Sequence, residues 1–332
     1  MNKKKTIIVF IILVILCIFV VFLSLSIGSK QVSLETIWQA IVNSNSSSFE
    51  TSIVMERIPR TIFGILAGAA LAMSGCVMQS ITRNPIADPS ILGINTGASL
   101  AVVIGISFFS ISSAQQYIWL AFFGAIITAI FVYGIAMAGR GGATPMKLAL
   151  AGAATSTALG SLVNTIMLPN SQVMDQFRFW QIGSIGGASW QSIIAVSPYL
   201  LIGCITIIAL ASKLDIMALG DEMASGLGVN TTRTRMIAAI AGVLLCASIT
   251  ALAGPIGFVG LMIPHLVRMI IQTDMKTVFL LSSLSGSILL LFADVIGRIV
   301  AFPGEVEVGI VTAIIGAPIF IWVVRKVKVK IT

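Results

Sequence analysis

Few residues of this chain have the chemistry to move a proton, hold a metal or attack a bond, and they are scattered. His265 is the sole histidine, and with Arg268, Asp294 and Arg298 it completes the main ionisable groups inside otherwise apolar stretches. Such groups ordinarily mark ion or proton paths when they lie at membrane depth. Asp294 and Arg298, however, are four positions apart, which on a helix makes them an ordinary ion pair, and His265 in MIPHLVR reads as a structural or interfacial residue. The cysteines Cys17, Cys76, Cys204 and Cys246 show no CxxC spacing, so neither a disulfide framework nor a zinc site is indicated. There is no GK dipeptide and hence no GxxxxGK[ST] phosphate loop. No catalytic, metal or cofactor-binding residue is therefore expected, and if the chain takes part in active transport, another subunit must supply the energy. An ion-coupled secondary carrier, the rival of another class, would need more intramembrane charge than this or a sodium site built from carbonyls.

Two further groups of residues carry interest. Within 148–165, LALAGAATSTALGSLVNT, the residues Thr155, Ser156, Thr157, Ser161, Asn164 and Thr165 bring hydroxyls and an amide into one apolar stretch. They either line a wet path or bond back to their own helix. The segment KLDIMALGDEMASGLGVNTTRTR, 213–235, is the longest polar loop on the expected cytoplasmic side. Asp221 and Glu222 suit the N-terminus of a short helix, and Gly226 and Gly228 suit its end. A short helix there is either a solvated loop element or a docking element for a motor.

The elements that position these residues follow from composition. Of 332 residues, 57% are apolar and 10% charged, whereas a soluble domain is about a quarter charged. This is an integral membrane protein of all-α class. A helix needs roughly 20 apolar residues to cross the hydrocarbon core. The runs 6–29, 61–82, 148–174, 277–293 and 308–324 each supply one span. The run 89–139 supplies two, broken at Ser110, Ser112, Ser113, Gln115 and Gln116. A further span is expected at 190–211, after the Gly-rich stretch 183–190, and two more in 236–267, interrupted by Gly254, Pro255, Gly257 and Pro264. The total is ten, in a single domain over 1–332.

The net charge of +8 then reports topology, with lipid and not nucleic acid as the surroundings. With a cytoplasmic N-terminus, Lys3, Lys4, Lys5, Arg83, Arg140, Lys147, Lys213, Arg233, Arg235, Arg268, Lys276, Arg325, Lys326, Lys328 and Lys330 fall inside. Only Lys30, Arg57, Arg60, Arg178 and Arg298 fall outside, the sense of the positive-inside rule. Ten spans place both termini in the cytoplasm. The first apolar run, at 24 residues, exceeds the roughly 7–15 of a signal h-region, so a retained first helix is expected.

Four blocks in order, RIPRTIFGILAGAALAMSGCVMQSITRNPIADPSILGINTGASLA (57–101), LGDEMASGLGV (219–229), GPIGFVGLMIPHLVR (254–268) and GIVTAIIGAPIFIWVVRK (309–326), resemble the FecCD-type permeases. These are membrane subunits of binding-protein-dependent ABC importers for ferric siderophores, haem and cobalamin, and the resemblance runs from the second helix to the C-terminus. It implies a ten-helix permease of a bacterial cell membrane, with helices two to five and seven to ten as inverted repeats. Gly68, Leu71 and Ser74 after Arg60 recur as Gly242, Leu245 and Ser248 after Arg235, a weak echo of such a repeat. It also implies a second permease subunit, identical or paralogous, with the path at their interface. Two cytosolic ATP-binding-cassette subunits, carrying ATP and Mg, would lie below, and an extracytoplasmic binding protein above.

By motif position, Leu219, Gly220, Asp221, Glu222, Ala224, Gly226, Leu227 and Gly228 would couple to the ATPase. Arg57, Arg60 and Arg298 would meet glutamates of the binding protein, unless they are snorkelling anchors. Thr155, Ser156, Ser161 and Asn164 would line the path, and Thr144, Pro145 and Met146 would form the cytoplasmic gate, although ATPM replaces the polar Ser/Thr run of some relatives. The resemblance favours ferric siderophore as cargo, with haem or cobalamin as alternatives.

Overall fold

The structure, a computed structural model, describes residues 3–28, 30–42, 49–109, 111, 113–138, 144–271 and 273–326. Ser110, Ser112, Arg140, Lys328 and Lys330, which entered the topology argument, lie outside them. Among the described residues all regular structure is helical: α1 (Lys3–Ser26), α2 (Leu34–Val42), α3 (Phe49–Thr82), α4 (Ile94–Phe109), α5 (Ala114–Met137), α6 (Pro145–Met167), α7 (Ser171–Gln181), α8 (Trp190–Met217), α9 (Asp221–Gly226), α10 (Thr231–Ala253), α11 (Val259–Ile270), α12 (Met275–Val300) and α13 (Val308–Lys326), with a 3-10 turn at Pro89–Leu92.

Seven of these, α1, α3, α5, α6, α8, α10 and α12, are long and apolar enough to cross a membrane, and α4, α11 and α13 are shorter apolar helices. Together they occupy the ten expected stretches. The run 148–174 is not one helix, however. α6 stops at Met167, and Asn170 accepts hydrogen bonds from the Gln172 and Val173 amides to start α7, because Pro169 cannot continue the ladder and an Asn side chain satisfies orphan amides. The amphipathic α2 and α7 were not anticipated, being too short and too polar for a span search to register.

α3 and α10 form the centre. Their apolar windows are 78% and 72% buried, against 6% for α1, which lies on the outside of the bundle. In hydrocarbon the association of helices rests on close packing and interhelical hydrogen bonds. Gly68 on α3 and Gly286 on α12 meet backbone to backbone: a methyl at Gly68 would run into the Gly286 carbonyl group and the Ser287 amide. The echo positions come together where α3 crosses α10, Ser74 Oγ donating to the Gly242 carbonyl at 2.6 Å, with Leu71 and Leu245 buried. Arg268 on α11 has its N–H groups satisfied by uncharged acceptors on α3, donating to Gln79 Oε1 at 2.7 Å and Ser80 Oγ at 3.1 Å.

Candidate functional site

Chemistry-bearing side chains gather at the two ends of the bundle and along α6. At one end the chain leaves α8, turns through Gly220 (φ +120°), makes the single-turn-and-a-half α9 and leaves through Gly228 (φ +81°). Both angles lie where a Cβ is strongly disfavoured. Asp221 is pinned from two directions, by Arg83 at 2.6 Å and Arg235 at 3.1 Å. α9 is thereby tied both to the end of α3 and to α10. Ala224 is buried against the body, while Leu219, Met223 and Leu227, spaced four apart, are 57%, 56% and 63% exposed. Three large apolar side chains are thus exposed in a row on a polar loop. Of the eight residues expected here, Ala224 is a packing residue and Asp221 an anchor. Met223 was missed, although its i, i+4 spacing from Leu219 and Leu227 is written in the sequence.

At the opposite end lie the three arginines expected to face outward. Arg57 is buried, and donates to the carbonyls of Leu25 (2.9 Å), Ser26 (3.1 Å) and Lys30 (2.7 Å). Arg298, only 3% exposed, donates to the carbonyls of Ser24 (2.8 Å) and Ile27 (2.9 Å), to Ser24 Oγ, and to Asp294 Oδ2. The two guanidiniums bind carbonyls at and just beyond the end of α1, where the helix dipole is negative. Arg57 and Arg298, expected to meet glutamates of the binding protein, make these contacts within the protein. Arg60 is the most accessible of the set, and bridges Asp294 Oδ1 at 2.7 Å and Glu305 at 2.8 Å. Arg57, Arg60, Arg298 and Glu305, with Glu56, Gly28 and Gly186, border a polar recess of about 210 Å³. The pairing of Asp294 with Arg298 on one helix face was foreseen; the roles of Arg60 and Glu305 as further members needed the fold.

Along α6 the expected lining divides. Thr155 is buried and Ser156 is half-buried, its Oγ close to Gly93 at the end of the 3-10 turn. Ser161 and Asn164 are exposed, and Thr157 and Thr165 join them. The Thr157, Ser161 and Thr165 hydroxyls donate to the carbonyls four residues back, those of Ala153, Thr157 and Ser161, so the face is polar while its donors are already satisfied. Thr144 caps the helix by accepting from the Lys147 amide at 3.3 Å, Pro145 opens it, and Met146 is 77% exposed. Among the described residues no group of three or more His, Cys, Asp or Glu could hold a metal ion.

Comparison with known proteins places this geometry in context. The model of the FecCD transport family matches residues 15–326. The chain is 40% identical over 314 residues to the ferric enterobactin transport system permease protein FepD of Escherichia coli (strain K12), covering 95% of this chain and 94% of that one. It is 40% identical over 325 residues to the Fe(3+)-citrate import system permease protein YfmD of Bacillus subtilis (strain 168), covering 98% and 96%. A solved structure, assigned as a metal-chelate type ABC transporter in an inward-facing conformation, superposes with a TM-score of 0.84 at 26% identity, covering 97% of this chain and all of that one.

Proposed function

This chain belongs to the FecCD transport family, and from that premise we propose which cargo it carries, which partners it works with and how they are coupled. It is a multi-pass membrane permease, a transport component and not an enzyme. The cargo is a ferric siderophore or a related ferric chelate, supported by relatives named for ferric enterobactin and ferric citrate that match over nearly the whole chain. The working assembly contains a second permease, two ATPase subunits binding ATP and Mg, and an extracytoplasmic binding protein. Both termini lie in the cytoplasm, in keeping with the positive-inside distribution.

The observation that carries the coupling proposal is the exposed Leu219, Met223 and Leu227 row on an element whose Asp221 is tied to two different spans. A cassette gripping that row moves the end of α3 and α10 together. Glu222 and the exposed backbone around Gly226 and Gly228 complete the contact. Rocking of the two permeases then opens a path along the Ser161 and Asn164 face, with Thr144, Pro145 and Met146 as the gate at its cytoplasmic mouth. The binding protein docks at the Arg60 end, where Arg57 and Arg298 serve by holding α1.

The test is ATP-driven uptake of ferric siderophore by the whole assembly in proteoliposomes. Leu219→Ser with Met223→Ser and Leu227→Ser is expected to lower uptake at least tenfold while the permease stays folded. Asp221→Ala is expected to leave ATPase activity present but uncoupled from uptake. Uptake at the unsubstituted rate in both variants would remove α9 from the coupling path.

A further inference from the structure

Away from both ends, a groove of about 490 Å³ runs between α5 and α10. Its floor is made of small buried residues, Ala129 and Ala239, and its rims of large exposed ones, Ile130, Met236 and Ile240. Gly134 also lines it, and a methyl built there meets nothing within 4 Å. The depression therefore exists because three positions carry almost no side chain, and its surface is overwhelmingly hydrocarbon.

The groove is apolar along its length but not at its end. Arg233 lies one turn before Met236, continuing the stripe 236, 240, 243 toward the α9 end. Its side chain is exposed and has no partner among the described residues. Tyr133, on the opposite wall, has a hydroxyl without a hydrogen-bond partner among the described residues and lies close enough to Arg235 to feel its charge. An apolar trough with a free cation and a free hydroxyl at the level where the bundle leaves the membrane has the layout of a phospholipid: acyl chain, ester region, phosphate.

We infer that this groove is a specific site for an anionic phospholipid, one acyl chain lying between α5 and α10, the ester region at Tyr133 and the phosphate on Arg233. A basic side chain near a headgroup favours anionic lipid by about 1 kcal/mol. A second copy of this chain fits less well. At this end Asp221 is already bound by arginines, Asp215 accepts from the Met275 amide, and Asp274 caps α12. Glu222 is the acid left for a facing Arg233, and it sits on the loop that α9 presents elsewhere.

Native mass spectrometry of the purified assembly, titrated separately with phosphatidylglycerol and phosphatidylcholine of matched chains, tests the site. Phosphatidylglycerol is expected to bind more tightly. Arg233→Ala is expected to weaken it about fivefold, the equivalent of about 1 kcal/mol, without changing phosphatidylcholine binding. Gly134→Leu, whose Cβ enters open space and whose branched end would fill the groove, is expected to weaken both lipids. Equal phosphatidylglycerol binding by the unsubstituted protein and both variants would overturn the assignment. So would efficient disulfide cross-linking of Ile240→Cys between two copies in native membranes, which would make the groove a protein interface.

Discussion

Asp294 and Arg60, 234 positions apart in the chain, are joined at 2.7 Å, and the second oxygen of the same carboxylate holds Arg298. One acid thus links α3 to α12 and, through Arg298, reaches the end of α1. The site is buried on the Asp294 and Arg298 side and opens to solvent only past Arg60 and Glu305.

Removing the acid leaves the buried Arg298 guanidinium without its counter-charge and Arg60 with Glu305 alone, and breaking a buried pair from one side costs about 3–5 kcal/mol. Asp294→Asn should lower the melting temperature of the detergent-solubilised permease by many degrees and loosen α1, read as faster proteolysis near Gly28. Asp294→Glu should recover part of the loss. An unchanged melting curve for Asp294→Asn would show that the arginines are neutralised some other way.

Glu305 is a partner of a different kind, since it is 37% exposed and sits on the segment between α12 and α13. If the binding protein presents a carboxylate to Arg60, Glu305 competes with it. Glu305→Gln is then expected to raise the affinity of the cognate binding protein for the permease about fivefold, and Arg60→Gln to lower it. Surface plasmon resonance on the reconstituted assembly reads both, and equal affinities across the three proteins would remove Arg60 from the docking contact.

Where Gly68 meets Gly286, no room exists for a Cβ on either residue. Gly286→Ala should cost about 1–3 kcal/mol by overpacking, and Gly286→Leu should prevent assembly of the folded permease, seen as aggregation in size-exclusion chromatography. Gly134→Ala, facing open space, is the matched control and should be neutral within about 0.5 kcal/mol.

Asp274 begins α12 by accepting from the Thr277 amide at 3.3 Å and from the Thr273 and Thr277 hydroxyls at 2.9 Å. Burial pushes its pKa up, but the hydrogen bonds from Thr277 and Thr273 outweigh that and hold it below the usual aspartate value. A carboxylate depressed in the folded state stabilises above its unfolded pKa, and that contribution is lost as pH falls through the folded one. Stability from this cap should be constant at neutral pH and fade below about pH 4. Asp274→Asn should retain most of the cap and flatten that acid limb, while Asp274→Ala should cost about 1 kcal/mol at neutral pH. Thermal unfolding of the three proteins across pH is the measurement.

The sequence carried the number and order of the spans, because the length of an apolar run is a local property and lipid imposes one requirement on all of them. It carried α9 as well, since Asp221 with Glu222 and Gly226 with Gly228 are start and stop signals about two turns apart. Facing was not legible. Thr155, Ser156, Ser161 and Asn164 share one polar stretch, yet Thr155 is buried and Ser156 half-buried while Ser161 and Asn164 are exposed; Ser156 meets Gly93, more than 60 residues upstream, a contact that no local pattern announces. Likewise Arg57 and Arg298 have the composition of outward anchors, but only the packing of α3 and α12 against α1 brings them to the carbonyls at and just beyond its end, where the helix dipole is negative. Spacing along one helix fixes which residues share a face; what that face meets is decided by contacts between segments hundreds of residues apart.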